Sequence, residues 1–245
     1  MSANIRLLQI IPNMDTGGAE TGCLHVAEHI SKKGGFSAIL TSGGKLIELI
    51  DQSKIRIFKW PITKNIFFVL INIFYIYLKI KLNNINVVHA RSRAPAWSAY
   101  FASKLAGVKL ITTFHGTYNY KSKLKKFYNS IMVRSDHVIA GSDFILNHIH
   151  SNYNIKASSS VVKRGIDEKY FSKKNVSEEE VKKFKKLMNL SDKNFIILLP
   201  GRLTYWKGQK LFIEALNKLK LKNSLKNVQA YICLLYTSDA ADDLL

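Results

Sequence analysis

Two rhythms alternate along the chain. Short unbroken apolar runs (IRLLQII, FSAILTS, VVHA, KLITTF, HVIA, SSVV) are separated by segments in which apolar residues return every three or four positions: LHVAEHISKKG, WSAYFASKLAG, KKFYNSIMVRS and FILNHIHSNY. Unbroken apolar runs suit strands covered on both faces, whereas the wider spacing lays an apolar stripe along one side of a helix. Regular alternation of the two predicts a parallel sheet with helices on both faces, a Rossmann-like α/β domain.

The rhythm breaks after Tyr170. From Phe171 to Asn194 the chain is charged, with Val181, Phe184, Leu187 and Met188 on one helical face and three glutamates ahead of the lysines, as the helix dipole favours. This predicts a linker helix over 171–194. Alternation then restarts with FIILLP, GRLTYWKGQ and the amphipathic KLFIEALNKLK. The expected organisation is a first α/β domain over 1–170 and the beginning of a second over 195–232. The closing stretch, CLLYTSDAADDLL, abandons the Lys/Asn/Ile bias and turns acidic. It resembles translated sequencing adaptor, so residues 233–245 are expected to be a non-native tail.

The most apolar segment, IFFVLINIFYIYLKI from Ile66, meets Lys79 before reaching the roughly 18 residues that a membrane span requires. It is expected to be a buried helix, with a helix dipping into a membrane surface as the alternative. The first residues carry a single Arg and no small-residue cleavage site, which reads as a strand rather than a signal peptide and places the chain in the cytoplasm. Its 245 residues suffice for one large or two modest domains, and a formal charge of +20 calls for anionic partners or solvates the surface. The two cysteines, Cys23 and Cys233, form neither a disulfide framework nor a zinc knuckle motif.

Candidate chemistry lies where strands end. In MDTGGAE, Gly17 and Gly18 open a helix whose backbone N–H groups can approach a phosphate or sugar, although a tight turn explains them equally. His25, Glu28 and His29 spell a zinc-peptidase signature on that first helix, but no second acidic ligand motif follows, and packed or solvated histidines account for them. In HARSRAPAW, an extended backbone would turn Arg91 and Arg93 to the same side, where they can fork onto carboxylate or phosphate, or form surface salt bridges. His115 ends the strand KLITTF, at the edge where open α/β sheets bind ligands. Ser142 and Asp143 suit helix capping, and Asp167 suits capping of the turn after Gly165. In LLPGRLTYWKGQK, Arg202 and Lys207 can converge on a diphosphate at a helix N-terminus, or remain solvated cations.

The order of these motifs, GGAE, HARSRAPAW, TTFHG, VIAGSDFI, RGID and GRLTYWKGQ, resembles retaining glycosyltransferase family 4 from about Ile5 to Ile232. The resemblance implies two Rossmann-like domains in the GT-B arrangement, the second incomplete. It implies transfer of a sugar from a nucleotide-diphosphate donor to a lipopolysaccharide or polysaccharide acceptor of the cell envelope. Arg202, Lys207, Gly17 and Gly18 then bind the donor diphosphate, His115 lies by the reacting sugar, and Arg91 and Arg93 touch the acceptor. No cofactor or metal is implied, the nucleotide sugar being a substrate. Peripheral contact with an anionic membrane suits the basic surface. The family's acidic ExxxxxxxE motif is missing, since Glu214 comes too early, so residues 1–245 alone are expected to be inactive. A nucleotide-sugar epimerase of the same architecture is the alternative. Nucleic-acid binding is remote, because no helix-turn-helix, aromatic RNP-like motif or zinc finger supports it.

Overall fold

The computed structural model describes residues 5–15, 17–62, 66–118, 122–201, 203–222 and 226–234. The chain divides into two units, Met1–Gly165 and Ile166–Leu245. The first contains β1 (Arg6–Ile10), α1 (Gly18–Lys32), β2 (Phe36–Thr41), β3 (Arg56–Lys59), α2 (Ile66–Leu82), β4 (Val87–Ala90), α3 (Arg93–Ala106), β5 (Lys109–Phe114), α4 (Lys123–Ser130), β6 (His137–Ala140), α5 (Asp143–Asn152) and β7 (Ser158–Val161). Its strands form one sheet in the order β3-β2-β1-β4-β5-β6-β7, every adjacent pair parallel.

The apolar runs of the sequence are strands covered on both sides. Successive side chains of a strand point to opposite faces, and β2 shows the consequence: Ala38 and Leu40 join one core with Leu8, Ile10, Val88 and Ala90, while Ile39 joins another with Cys23 and Ala27 of α1. Small residues on α3, Ala96, Ala99 and Ala102, are fully buried in the first of these cores. Ser142 caps α5 by accepting from the Ile145 backbone N–H.

The expectation of a buried helix from Ile66 holds for one stripe only. Ile76 and Ile80 of α2 enter the core, and Asn72, which interrupts the apolar run, accepts a 2.7 Å bond from Trp60 Nε1. Leu70 and Phe74 remain 73% and 63% exposed, because α2 is covered by α3 on one side and has more apolar residues than one contact face can use. No described helix is long and apolar enough to cross a membrane.

The second unit contains α6 (Glu178–Leu187), β8 (Phe195–Gly201), α7 (Gln209–Leu221) and β9 (Val228–Leu234), with β8 and β9 parallel around α7. A capping box of Ser177 and Glu180 starts α6. The end of α6 is tied to β9 by Tyr231 Oη donating to the Met188 carbonyl at 2.9 Å and Gln229 Nε2 donating to the Asn189 carbonyl at 3.0 Å. Asp167 Oδ1 accepts from the Lys169 and Tyr170 backbone N–H groups, so it caps its turn. Strand β9 runs through Cys233 to Leu234, while residues 235–245 of the proposed tail lie outside the described residues.

Candidate functional site

Strand β1 lies between β2, to which the chain proceeds through α1, and β4, which it reaches later on the other side. This reversal of strand order opens a crevice beyond the carboxyl ends of β1 and β4, where doubly wound sheets bind ligands. The glycine turn, Arg91, Arg93 and His115 all emerge at that edge.

Helix α1 starts at the glycine turn without a side-chain cap: Gly17 is its extended N-cap residue, and Thr21 Oγ1 binds back to the Gly17 carbonyl at 2.8 Å. A methyl group at Gly18 would lie 1.8 Å from a terminal nitrogen of the Arg164 guanidinium, so the bare backbone of Gly18 is the seat of that side chain. Beneath the turn, Gly44 adopts φ +129° and presses on Met14, whose carbonyl carbon would be 2.3 Å from an added methyl. Glycine is required there both by conformation and by the close approach.

Arg91 and Arg93 do not point the same way, contrary to the extended geometry expected from the sequence. Arg91 is only 5% exposed, and its Nε donates to Gln9 Oε1 at 2.7 Å while a terminal nitrogen donates to the Gly22 carbonyl at 3.1 Å. Gln9, itself buried, donates from its amide to the Cys23 carbonyl at 2.8 Å. Arg93 begins α3 and turns to the opposite neighbour, donating to Asn129 Oδ1 at 2.9 Å with its guanidinium 4.4 Å from the centre of the Tyr118 ring. The extended run stops at Ser92, so the two side chains belong to different elements. Arg91 is buried, with its Nε and one terminal nitrogen bound inside the first unit, whereas Arg93 is half-buried and borders the surface.

His115 is the other strand-end group. Its Nδ1 lies 3.0 Å from a terminal nitrogen of Arg164, and its Nε2 is buried without a partner at hydrogen-bonding distance. Burial, reinforced by the positive charges of Arg164 and Arg91, lowers its pKa to about 4, against a weak opposing pull from the Arg91 backbone. Next to it, His89 of β4 is buried against Thr113 Oγ1 of β5 at 2.7 Å, and burial together with Arg91 and His115 holds it well below the ordinary histidine value. Burial also lowers Arg91, with Arg164 adding repulsion and Cys23 and Glu20 opposing it, and raises the Cys23 thiol to about 12. Burial and the two nearby guanidiniums thus keep the imidazole neutral, while the Glu20 carboxylate, which lies against Gly17, offsets part of their positive field.

Arg164 was not singled out from the sequence, although it belongs to the RGID motif and follows β7. Gln9 and His89 were missed as well, being polar residues inside apolar runs. His25 and His29 are exposed on α1, and among the described residues no group of three or more His, Cys, Asp or Glu is placed to hold a metal ion. A concavity of about 630 Å³ lined by Tyr100, Phe127, Arg134 and Tyr153 lies at the opposite, amino-terminal edge of the sheet.

In the second unit, β8 delivers Gly201 to its carboxyl end, and the exposed Lys207 lies in a single 3-10 turn before Gly208 and α7. The Lys207 stem folds beside Gly201, its Cδ 3.6 Å from where a methyl would be. Arg202 lies outside the described residues.

Comparison with known proteins shows the family to which this fold belongs. The family model for Glycosyltransferase Family 4 matches residues 16–170. Among solved structures, a glycosyltransferase from Rickettsia africae ESF-5 is 32% identical with a TM-score of 0.79, the match covering 96% of this chain and 69% of that one. HepE from Anabaena, solved in complex with UDP and glucose, is 18% identical with a TM-score of 0.75, covering 95% of this chain and 62% of that one. WaaG, described as a glycosyltransferase involved in lipopolysaccharide biosynthesis, is 9% identical with a TM-score of 0.63, covering 92% of this chain and 62% of that one. The last two likenesses show the fold alone, and the chain spans less than two thirds of their length. No curated protein sequence gives a significant match.

Proposed function

The chain belongs to glycosyltransferase family 4 and has the GT-B fold class with an incomplete second Rossmann-like unit, and on that footing we propose that it serves retaining transfer of a sugar from a nucleotide-diphosphate donor to a cell-envelope glycan or lipid-linked acceptor. The observation that carries this reading is the meeting, at the switch point of the first sheet, of the uncapped glycine turn with His115 and Arg164. The UDP and glucose bound by HepE support a nucleotide-sugar donor, and the lipopolysaccharide role of WaaG supports an envelope acceptor.

In this reading Gly17 and Gly18 offer backbone N–H groups to the donor diphosphate, and Arg202 and Lys207 of the second unit neutralise it as it leaves. The bond from the anomeric carbon to the diphosphate oxygen breaks, and the acceptor oxygen bonds to the same face of that carbon. The acceptor proton passes to the departing phosphate oxygen. Arg93 borders the acceptor side. The exposed apolar stripe of α2, beside Lys79 and Lys81, suits peripheral contact with an anionic membrane at the cytoplasmic face. In this reading transfer by residues 1–245 alone is expected to be weak or absent, because the acidic residues expected to grip the donor are not found among them; a longer chain carrying this sequence, the parent protein of the tests below, is the form in which transfer is assayed.

The test is a screen of nucleotide sugars with the parent protein, comparing wild type with Arg202→Ala and Lys207→Ala. Each variant is expected to lose transfer by about 10²-fold or more while remaining folded. An unimpaired double variant would remove the diphosphate assignment. Robust transfer by residues 1–245 would remove the requirement for further residues.

A further inference from the structure

We propose that Arg164 is a positioning residue that holds His115 in the tautomer protonated on Nε2, so that His115 enters sugar transfer as a neutral group and exchanges no proton. The inference rests on the placement of His115 beside the reacting sugar proposed above.

A guanidinium donates hydrogen bonds and accepts none. The 3.0 Å contact between the terminal nitrogen of Arg164 and His115 Nδ1 therefore requires a lone pair on Nδ1. A proton on that atom would face the N–H of a cation, which disfavours both the Nδ1-protonated tautomer and the imidazolium. The neutral ring must then carry its proton on the buried Nε2. The arginine is held in place by the absence of a side chain at Gly18, where its guanidinium occupies the volume of a methyl group. The glycine turn thus has a second use: it seats the residue that sets the protonation of His115.

The two charged groups that act on His115 do so in the same direction: Arg164 comes from the segment after β7 and Arg91 directly follows β4, while the buried His89 of β4 lies beside them. Burial is the largest influence, and with the two guanidiniums it brings His115 to about 4. At neutral pH such a group is a weak base with its exposed lone pair already engaged, unsuited to general acid or base work. This agrees with the mechanism proposed above, in which the acceptor proton passes to the departing phosphate oxygen.

The experiment uses the 245-residue chain with 15N-labelled histidine. Long-range 1H–15N correlation spectra are recorded from pH 5 to 9, and the His115 signals are identified by their loss in His115→Gln. Wild type should show a bare Nδ1, a protonated Nε2 and no titration above pH 5. Arg164→Met, which keeps length and removes both donor and charge, should mix the tautomers and raise the midpoint by about 1 pH unit or more; Arg164→Lys should restore the wild-type pattern. A protonated Nδ1 in wild type, or an Arg164→Met spectrum identical to wild type, would overturn the proposal. The parent protein separates this from the functional reading. Absence of transfer from every nucleotide sugar defeats the glycosyltransferase mechanism and leaves the tautomer result standing. Transfer that follows a His115 ionisation near pH 6.5 defeats the proposal and leaves the mechanism standing.

Discussion

Replacing Arg91 by Ala tests whether this residue serves the interior rather than a ligand. The substitution removes two hydrogen bonds from a charged donor, to Gln9 Oε1 and to the Gly22 carbonyl, each contributing roughly 1.5–3 kcal/mol. It also leaves Gln9 Oε1 buried without its donor and opens a void, so that a loss of about 3–5 kcal/mol is expected after partial relaxation. The chain has three tryptophans; in a Trp206→Phe background the remaining two, Trp60 and Trp97, both report on the first unit. With a urea slope of about 2 kcal/mol per molar, the fluorescence midpoint should fall by about 2 M. Arg93→Ala, which removes one half-buried bond to Asn129 and the contact with the Tyr118 ring, should shift it by about 1 M. Gln9→Leu with Arg91→Met removes both partners and should recover much of the loss, because Gln9 Oε1 is no longer left stranded. Equal small shifts for Arg91→Ala and Arg93→Ala would refute the buried role and return Arg91 to the surface.

Two further outcomes follow from the same interior. His115 and His89 have depressed folded pKa values, His115 at about 4, whereas an unfolded histidine binds protons near 6.5. As pH falls below about 6.5 the unfolded chain takes up protons that the folded chain refuses, so stability declines down to about pH 4, where the His115 part levels off. By pH 5 this residue should account for about 2 kcal/mol, read as the part of the urea-midpoint decline between pH 7.5 and 5 that His115→Gln abolishes. Cys23 is buried with its thiol raised to about 12, while Cys233 is exposed. Iodoacetamide followed by mass spectrometry should label Cys233 in the native chain and Cys23 only in denaturant; native labelling of Cys23 would contradict its burial.

Local pattern was enough to reveal the parts of the first unit. Apolar runs became strands, stripes became helices, and Ser142 capped α5, because each depends on residues a few positions apart. The strand-end position of Gly17, Gly18 and His115 was legible for the same reason. The apolar segment from Ile66 was overread, since composition fixes how much surface wants burial and only the neighbouring α3 fixes how much is buried.

Sequence by itself thus determined the layered α/β class and which residues lie at the carboxyl ends of strands. Tertiary structure decided their company. Strand order put β1 beside β4, which drew Arg91 inward to Gln9, 82 positions away, and left Arg93 to a different neighbour. It brought Arg164 from β7's end to His115, 49 positions away, and onto Gly18. Periodicity encodes which face a side chain takes, but the partner it meets across a sheet depends on the order in which distant strands assemble, and that order set the charge, burial and protonation of the site.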